Sequence, residues 1–480
     1  MQDRRSPLHG ALAFLALLSL SVAPASAGPA FLGDPEETMT ITRTHDALEV
    51  DNQTLGGVLD GTPAERLRLV RFRRGGMEPV PFDLMEMDEH GNYVLDGVNR
   101  NVEWRQGTYE LREEAVRAAG GITRVRIELV DNRRNQPGVL DGRDRIVFLA
   151  RDAGDRHLGA VPEALRGVEM ELVDPVHGAR GWVYLLDAPG LPLSPTTYLT
   201  YAFDPKGQTE LVRSAGGAEV FFDLNRSAAY RGFTLPKDGG IDIAHTFRAE
   251  ASFRLRPAWL AWLPRFSINP EDSTVPILVG YRDGVFVLRV VKNKIHHFLM
   301  ERYLGDEIKD AELVTVSRYF PEYQYFRGVF TLSQKLKRWM RDLDVVMTTD
   351  FNENAKGMRF LNANNRGSPC LVDGRMSRQE ALLNTDPYLW SMLTGSNGGW
   401  ANILNMEHGN RELMRLFYDD DWKQGIYGSI GYRMTRVDEE DVISFETFIF
   451  LLPPNAGPAH MEQLVNLVYR PLVVLPGRTW

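Results

Sequence analysis

The stretch from Val275 to Tyr303 constrains the fold of this chain more than any other. Two apolar runs flank Asp283-Gly284, a dipeptide that tolerates the positive φ angles of a two-residue hairpin turn. The second run is long, and a hairpin alone is marginally stable in water. An extended arm of this length therefore predicts a large antiparallel sheet around it.

The two faces of this arm differ in composition. Its odd positions, among them Val285, Val287 and Val291, are mostly apolar. Its even positions begin apolar and then change to Lys292, Lys294 and His296. Because neighbouring residues of a strand point to opposite faces, we expect one face in the core and the other opening onto something polar.

The rest of the chain reads as short alternating strands separated by turns. Residues 122–130 alternate between apolar and charged side chains, which is typical of a half-buried strand. We find no repeat of 20 to 50 residues and no alternation of strands with helices, which disfavours a propeller, a solenoid or a parallel sheet. A capping box at Ser377 and Glu380 and a run from Pro458 to Tyr469 predict short helices. The predicted class is all-β.

We predict two antiparallel β-sandwich domains behind a leader. Residues 1–27 have a basic start, the apolar core Ala11 to Val22 and a small-residue cleavage pattern at Ala27, as a signal peptide does. Residues 28–205 form the first predicted domain and residues 206–480 the second, a large super-sandwich. After cleavage we expect a soluble periplasmic or secreted protein without a membrane span, since no later stretch is apolar for 18 residues.

Charge and cysteine content exclude some classes of function. Removal of the leader leaves 53 basic and 63 acidic residues, a net charge of −10. A nucleic-acid partner is disfavoured because such proteins usually carry a basic excess. Cys370 is the sole cysteine, so no intrachain disulfide can form. Its predicted role is a small buried apolar residue.

A loop rich in acids between two strands raises the question of calcium. Asp131, Asn135, Asp141 and Asp144 carry the side-chain oxygens that calcium prefers. Four arginines stand among them, however, and the spacing does not fit an EF-hand. We expect no metal or other cofactor, with calcium at this loop as the alternative.

The polar part of the sheet face is the first candidate site. An enzyme acting on an acidic polysaccharide would need cations to neutralise a carboxylate and a side chain that moves protons. The candidate catalytic residues are His296, Tyr303 and His408. The candidate ligand-binding residues are Lys292, Lys294, His296, Arg302, Tyr323, Asn352 and Asn354. The asparagines belong to an amide-rich loop that suits sugar hydroxyls and equally suits ordinary turns.

Residues 206–480, with long antiparallel strands and few helices, resemble the galactose-mutarotase-like super-sandwich of secreted carbohydrate-active proteins. The resemblance implies a broad sandwich and a sugar ligand. No position of this sequence matches the catalytic His and Glu of the mutarotase family. The resemblance therefore implies the fold and leaves the activity open.

Two functional hypotheses follow. The first is an exported cell-envelope protein that binds a carbohydrate or another extended envelope ligand without catalysis. The alternative is a polysaccharide-active enzyme, a lyase or mutarotase-like protein, that uses the Lys, His and Tyr side chains of the sheet face. A purely structural envelope component is the third possibility. An enzyme should show a walled cleft in which a base and a cation meet within hydrogen-bond reach.

Overall fold

The computed structural model describes residues 35–74, 76–88, 91–99, 104–114, 124–130, 138–162, 164–204, 206, 209–216, 218–223, 230–235, 241–257, 262–268, 274–282, 284–295, 312–331, 334–405, 413–422, 426–439 and 442–480. Over these ranges the chain is almost entirely strands and turns, which confirms the predicted all-β class. The first strands are β1 (Ala47–Asp51), β2 (Leu67–Arg73), β3 (Gly76–Val80), β4 (Asp83–Met85), β5 (Val94–Asn99), β6 (Trp104–Glu114), β7 (Arg124–Val130), β8 (Arg145–Leu149), β9 (Arg166–Val173) and β10 (Arg180–Asp187).

The remaining strands continue to the end of the sequence. They are β11 (Leu199–Asp204), β12 (Thr209–Ser214), β13 (Glu219–Asp223), β14 (Tyr230–Leu235), β15 (Ile241–Asp242), β16 (Ala244–Leu255), β17 (Phe266–Ile268), β18 (Thr274–Arg282), β19 (Val287–Ile295), β20 (Glu312–Tyr319), β21 (Tyr323–Thr331), β22 (Met340–Phe351), β23 (Arg359–Asn362), β24 (Cys370–Leu371), β25 (Trp390–Gly395), β26 (Gly398–Leu404), β27 (Met414–Asp419), β28 (Ser429–Met434), β29 (Val442–Leu452) and β30 (Val473–Thr479). The α-helices within the described ranges are α1 (Gln334–Trp339) and α2 (Pro458–Tyr469).

These strands form five sheets. The four smaller sheets have the orders β1-β8-β4, β3-β2-β10-β9-β30, β11-β12-β13-β14-β15 and β17-β16-β22-β28-β27. The large sheet has twelve strands in the order β24-β23-β25-β26-β29-β21-β20-β19-β18-β5-β6-β7. Its central pairings are antiparallel, as the sequence predicts.

The large sheet is covered on both faces. Alternate residues of β29 enter different cores, because successive side chains of a strand point to opposite sides. Phe450 packs in one core with Met461 of helix α2. Phe445 packs in the other core with Met347 of strand β22, which belongs to the neighbouring five-stranded sheet. This part of the molecule is therefore a sandwich with the large sheet in its middle.

The central hairpin forms, but its turn is longer than predicted. Strands β18 and β19 pair with Arg282 opposite Leu288, and Gly284, Val285 and Phe286 precede β19, so the connection exceeds two residues. Asp283, the first residue of the predicted turn, lies outside the described residues. The carboxylate of Asp83 explains the longer turn, since its Oδ2 accepts hydrogen bonds from the backbone N–H groups of Val285 and Phe286. A Cβ atom at Gly284 would lie 2.2 Å from this carboxylate, so the close approach requires glycine.

Strand β19 is buried on both faces over its first half. The face predicted to lie in the core includes one charged side chain, that of Arg289. Val287 and Val291 are buried there as predicted. Arg289 is buried between them and pairs with Glu210 of β12, at 2.6 Å from Nη2 and 2.7 Å from Nε to Oε2. The guanidinium group also lies 3.9 Å from the ring centroid of Phe222. The β11–β15 sheet therefore docks on the large sheet through an ion pair as well as through apolar contacts.

Two pairings join strands from both predicted domains. Strand β5 pairs with β18, and the last strand, β30, pairs with β9. Two sheets therefore contain strands from both sides of residue 205. The domain boundary at that residue stays a prediction.

The predicted local motifs are present. Ser377 and Glu380 satisfy each other's backbone N–H groups, at 2.7 and 3.3 Å, as a capping box does. Helix α2 occupies the predicted range before Pro471, and Cys370 is buried. Among the described residues, no helix combines the length and the apolar character that crossing a bilayer requires.

Removal of Arg289 should strongly destabilise the protein. In Arg289→Met the carboxylate of Glu210 stays buried without its cation, so we expect the free energy of unfolding to fall by about 3–5 kcal/mol. The double variant Arg289→Met, Glu210→Met should regain most of this loss, because no unpaired charge then remains in the core. Urea unfolding of the three proteins measures both effects.

The exposed pair Arg213–Glu219 of the same small sheet is the matched control. Arg213→Met removes an arginine of an ion pair that water already screens, so the loss should be about 0–1 kcal/mol. Equal losses for Arg289→Met and Arg213→Met would contradict the structural importance of the buried pair.

Candidate functional site

The predicted cationic sheet face lies mostly outside the described residues. On β19 the backbone of Lys292 is opposite Leu278 and Val314, and that of Lys294 is opposite Val275 and Glu312. The side chains of both lysines lie outside the description, as do His296, Arg302, Tyr303 and His408. The catalytic and binding roles assigned to these residues stay predictions.

Tyr323 lies in the core near this sheet. Its ring is buried and stacks on Phe320 at 4.5 Å and on Phe450 at 5.2 Å between ring centroids. Burial raises the pKa of its hydroxyl well above the ordinary value, so the group is neutral at physiological pH. The same side chain lines a narrow apolar crevice of about 40 Å³ between the β11–β15 sheet and the large sheet.

The described part of the acidic loop contains Asp141 and Asp144, and the Asp144 carboxylate binds backbone N–H groups. Asp144 is buried, and its carboxylate accepts hydrogen bonds from the N–H groups of Met87 at 3.0 Å and Asp141 at 2.9 Å. Burial raises the pKa of Asp144 to about 6. The other two calcium candidates, Asp131 and Asn135, lie outside the described residues. Within the described ranges, no group of three acidic, His or Cys side chains is placed to hold a metal ion.

The structure brings together a different set of polar residues in an open cleft of about 630 Å³, which we call the polar cleft. One wall is helix α2, the second is the segment preceding β1, and the third is His177 in the turn between β9 and β10. Its lining residues are Thr42, Arg43, Thr44, His45, Asp46, His177, Ala459, His460, Glu462, Gln463, Leu464, Asn466 and Leu467.

Arg43 organises the base of the polar cleft. Its guanidinium group makes two hydrogen bonds to the carboxylate of Asp46, at 2.5 and 3.1 Å, and lies 3.5 Å from Asp174. A third bond of 2.7 Å reaches the carbonyl of Arg470, just beyond helix α2. A cation at a helix C-terminus is stabilising because the last carbonyl groups carry partial negative charge. Arg43 thereby joins three chain segments that are far apart in sequence.

His45 connects the cleft to the large sheet. Its Nδ1 lies 3.3 Å from Oε2 of Glu322, in the turn between β20 and β21, and the same carboxylate binds Arg151. Burial raises the pKa of Glu322, but the contacts with His45 and Arg151 outweigh burial and hold that pKa below its usual range. The carboxylate is therefore ionised and lies beside the imidazole of His45 at the cleft.

The other two histidines are arranged differently. Nδ1 of His177 lies 3.0 Å from Oδ2 of Asp174, and the His177 side chain is 68% exposed. Burial raises the pKa of Asp174, yet the contacts with His177, the backbone and Arg43 bring it below its usual value. Burial and the nearby charge of His45 lower the pKa of His460. His460 is thus a neutral imidazole at pH 7, which both donates and accepts hydrogen bonds.

The arrangement offers hydrogen-bond donors and acceptors along an open cleft. Imidazole, amide and hydroxyl groups each hydrogen-bond in both directions, while Leu464 and Leu467 are buried beneath them. Nothing in the sequence signals this site, because His45, His177 and His460 belong to distant segments and form no spaced motif. Helix α2 is predictable, but the surface that it faces is not.

The predicted amide-rich loop lies at another place, at the end of β22. Oδ1 of Asn352 accepts the N–H of Asn354 at 2.9 Å and caps a 3-10 turn, so the first asparagine serves the turn itself. The neighbouring loop is held by Asp420, which is buried and whose Oδ2 accepts the N–H groups of Asp373 at 2.8 Å and Gly374 at 3.2 Å. These loops are therefore ordered by local side-chain bonds.

No family model and no curated protein matches the sequence. The solved structures similar to this chain include an alpha-mannosidase from Enterococcus faecalis V583, with a TM-score of 0.41, 9% identity, and coverage of 93% of this chain and 45% of that chain. A protein in the glycosyl hydrolase family 38 from Enterococcus faecalis has a TM-score of 0.42, 8% identity, and coverage of 92% and 46%. This chain spans less than half of each. Neither is described as mutarotase-like, so that resemblance stays a prediction.

Asp420 should make stability depend on pH. Burial raises its pKa to about 6 from 3.8, so the folded protein binds this proton more tightly than the unfolded chain does. The free energy of unfolding should therefore fall, by on the order of 2 kcal/mol, as the pH rises from about 4 to about 6. Asp420→Asn keeps an accepting oxygen but does not titrate, so this part of the fall should disappear in urea unfolding curves.

Asp386→Asn is the matched control, since Asp386 is exposed. Its pH profile should follow that of the parent protein. A profile of Asp420→Asn that also follows the parent would show that the buried carboxylate does not titrate in this range.

Proposed function

We propose that this chain is an exported β-sandwich protein that binds a carbohydrate in the polar cleft. The observation that carries the proposal is the convergence of three histidines, an arginine, two amides and two threonines on one open cavity. Its volume of about 630 Å³ falls within the range of small-molecule sites, about 300–1,000 Å³. The leader at residues 1–27 supports a periplasmic or secreted location.

The chemistry of the lining suits a ligand with many hydroxyl groups. A sugar hydroxyl donates one hydrogen bond and accepts others, so it pairs best with groups that do both. His460, Gln463 and Thr44 are such groups. Leu464 and Leu467 are buried and form the floor beneath these groups. Convergent polar groups that fix the orientation of a ligand are a feature of specific ligand sites.

The cleft is also held in place before any ligand arrives. Arg43 is fixed by Asp46 and by a helix carbonyl, and Nδ1 of His45 lies 3.3 Å from the carboxylate of Glu322. Side chains with fixed conformations lose little entropy on binding. Preorganisation of this kind supports a binding site in preference to an incidental surface groove.

Substitution of a cleft residue should weaken carbohydrate binding. We expect purified mature protein to be retarded in native gels that contain barley β-glucan, galactomannan or alginate. Gln463→Ala and His460→Ala each remove a hydrogen-bonding group, so the affinity for the retarding polysaccharide should fall about three- to tenfold. The dissociation constant is measured from retardation against polysaccharide concentration.

Gln379→Ala is the control, because it makes the same change at an exposed glutamine outside the cleft. It should migrate as the parent protein does. If the parent protein is not retarded in any of the three gels, the proposed function is wrong.

The second candidate function is a polysaccharide lyase, and the His177–Asp174 pair favours it. A base and a cation meet here on one carboxylate, since Asp174 contacts both His177 and Arg43. A carboxylate behind an imidazole orients it as a general base, and an exposed imidazole can reach a substrate. The lyase predicted from the sequence has its base on the sheet face, at His296.

Product absorbance separates these alternatives. A lyase releases unsaturated uronates from alginate or polygalacturonate, and their absorbance should rise with time. Loss of the rise in His177→Ala but not in His296→Ala would assign the chemistry to the cleft, and the reverse would assign it to the sheet face. Absence of any rise in the parent protein rejects the lyase and leaves the binding function untouched.

A further inference from the structure

An exposed tryptophan stands beside a tyrosine where loops meet at the end of strand β22. The side chain of Trp422 is 56% exposed, and its backbone N–H donates to the carbonyl of Gly374 at 3.0 Å. A Cβ atom built on Gly374 would lie 3.2 Å from Cβ of Trp422 and 3.5 Å from Cδ1 of Tyr427. Gly374 therefore lies against Cβ of Trp422 and against the ring of Tyr427. Its φ of +85° also favours glycine.

Polar groups surround this aromatic pair. The ammonium group of Lys356 lies 5.9 Å from the ring centroid of Tyr427. Asp373 and Asp421 are exposed on the loops that carry the pair, and each carboxylate accepts one backbone hydrogen bond that fixes its position. One face of the Tyr427 ring is therefore turned towards a cation, while the ring of Trp422 is the exposed apolar surface at this place.

Hydrogen bonds hold the backbone near both aromatic residues. Asp420 precedes Trp422 in the chain and binds the N–H groups of Asp373 and Gly374. The backbone N–H of Tyr427 donates to Phe351 at the end of β22, at 2.7 Å. Both aromatic residues are thus attached to the fold by hydrogen bonds next to their own positions. A ring on a fixed backbone presents its face with little loss of entropy.

We propose that Trp422 and Tyr427 form a stacking platform for a sugar ring, at a site separate from the polar cleft. None of the residues that line the cleft belongs to these loops. The C–H face of a pyranose is apolar and packs on an aromatic face, while its hydroxyl groups point outward at the rim. Lys356 lies near Tyr427, and Asp373 and Asp421 are next in sequence to Gly374 and Trp422, so a donor and acceptors for such hydroxyl groups are at hand. The inference rests on the proposed function, because it takes the ligand to be a carbohydrate.

A second exposed tryptophan provides a matched control. Trp262 is 79% exposed and follows strand β16. Strands β16 and β22 pair from Ala244 opposite Phe351 to Leu255 opposite Met340, so Trp262 and the platform lie at opposite ends of this pair. Both tryptophans are exposed. Trp422 differs from Trp262 in that the glycine beside it, Gly374, also contacts a tyrosine.

The test uses the full mature chain in native gels that contain barley β-glucan, galactomannan or alginate. For the polysaccharide that retards the parent protein, Trp422→Ala should weaken binding about tenfold or more, as truncation of a central aromatic contact commonly does. Trp422→Phe keeps a ring face and should retain most of the affinity. Trp262→Ala should bind as the parent does, and thermal melting of each variant verifies that it is folded.

The outcomes separate the two proposals. Normal binding by Trp422→Ala, together with weakened binding by Gln463→Ala, would overturn the platform and leave the cleft as the binding site. Equal losses for Trp422→Phe and Trp422→Ala, or for Trp262→Ala and Trp422→Ala, would also overturn it. If the parent protein is not retarded in any gel, the proposed function fails and the platform fails with it.

Discussion

A sheet of twelve strands presents two broad apolar faces, and the whole fold depends on covering both of them. Helix α2 covers part of one face through Met461, and the sheet that contains β22 covers the other through Met347. Burial of apolar area at roughly 25 cal/mol per Å² is the main driving force for such layers. Polar cavities therefore occur at the margins of the layers, and the polar cleft lies at the edge where helix α2 meets the segment before β1.

The layers are joined by carboxylates that each contact two basic side chains. Glu49 of β1 accepts the Tyr93 hydroxyl at 2.7 Å and pairs with Arg145 at 3.0 Å and with Arg318 of β20 at 2.6 Å. Burial raises its pKa, but the two arginines and Tyr93 bring the pKa below its usual value. Glu322 has a comparable role between Arg151 and His45. Such junctions fix the position of one layer on the next, because a slipped arrangement would leave a charge unpaired.

Local sequence patterns predict local structure well here. The all-β class, the hairpin of β18 and β19, the capping box at Ser377 and helix α2 all follow from alternation, turn chemistry and capping. The turn of that hairpin could not be predicted, because Asp83 reaches it from a distant strand. The buried partner of Arg289 is equally remote in sequence. A single arginine in a strand sequence predicts an exposed side chain, unless the carboxylate that pairs with it is known.

The site was harder to predict than the fold for the same reason. Asn352 and Asn354 are polar and close in sequence, yet the first caps the turn that contains the second. His45, His177 and His460 meet only because three distant segments pack together. Residue type indicates which chemistry is available, whereas long-range packing decides which side chains share a cavity.

The pairing of β30 with β9 sets an order of events during folding. Strand β9 ends at Val173, and its partner begins at Val473, so the edge of this sheet stays open until nearly the whole sequence has been synthesised. Contacts between residues so far apart close large loops and form slowly. The N-terminal part of the chain therefore cannot complete its own sheet until the C-terminal strand is present.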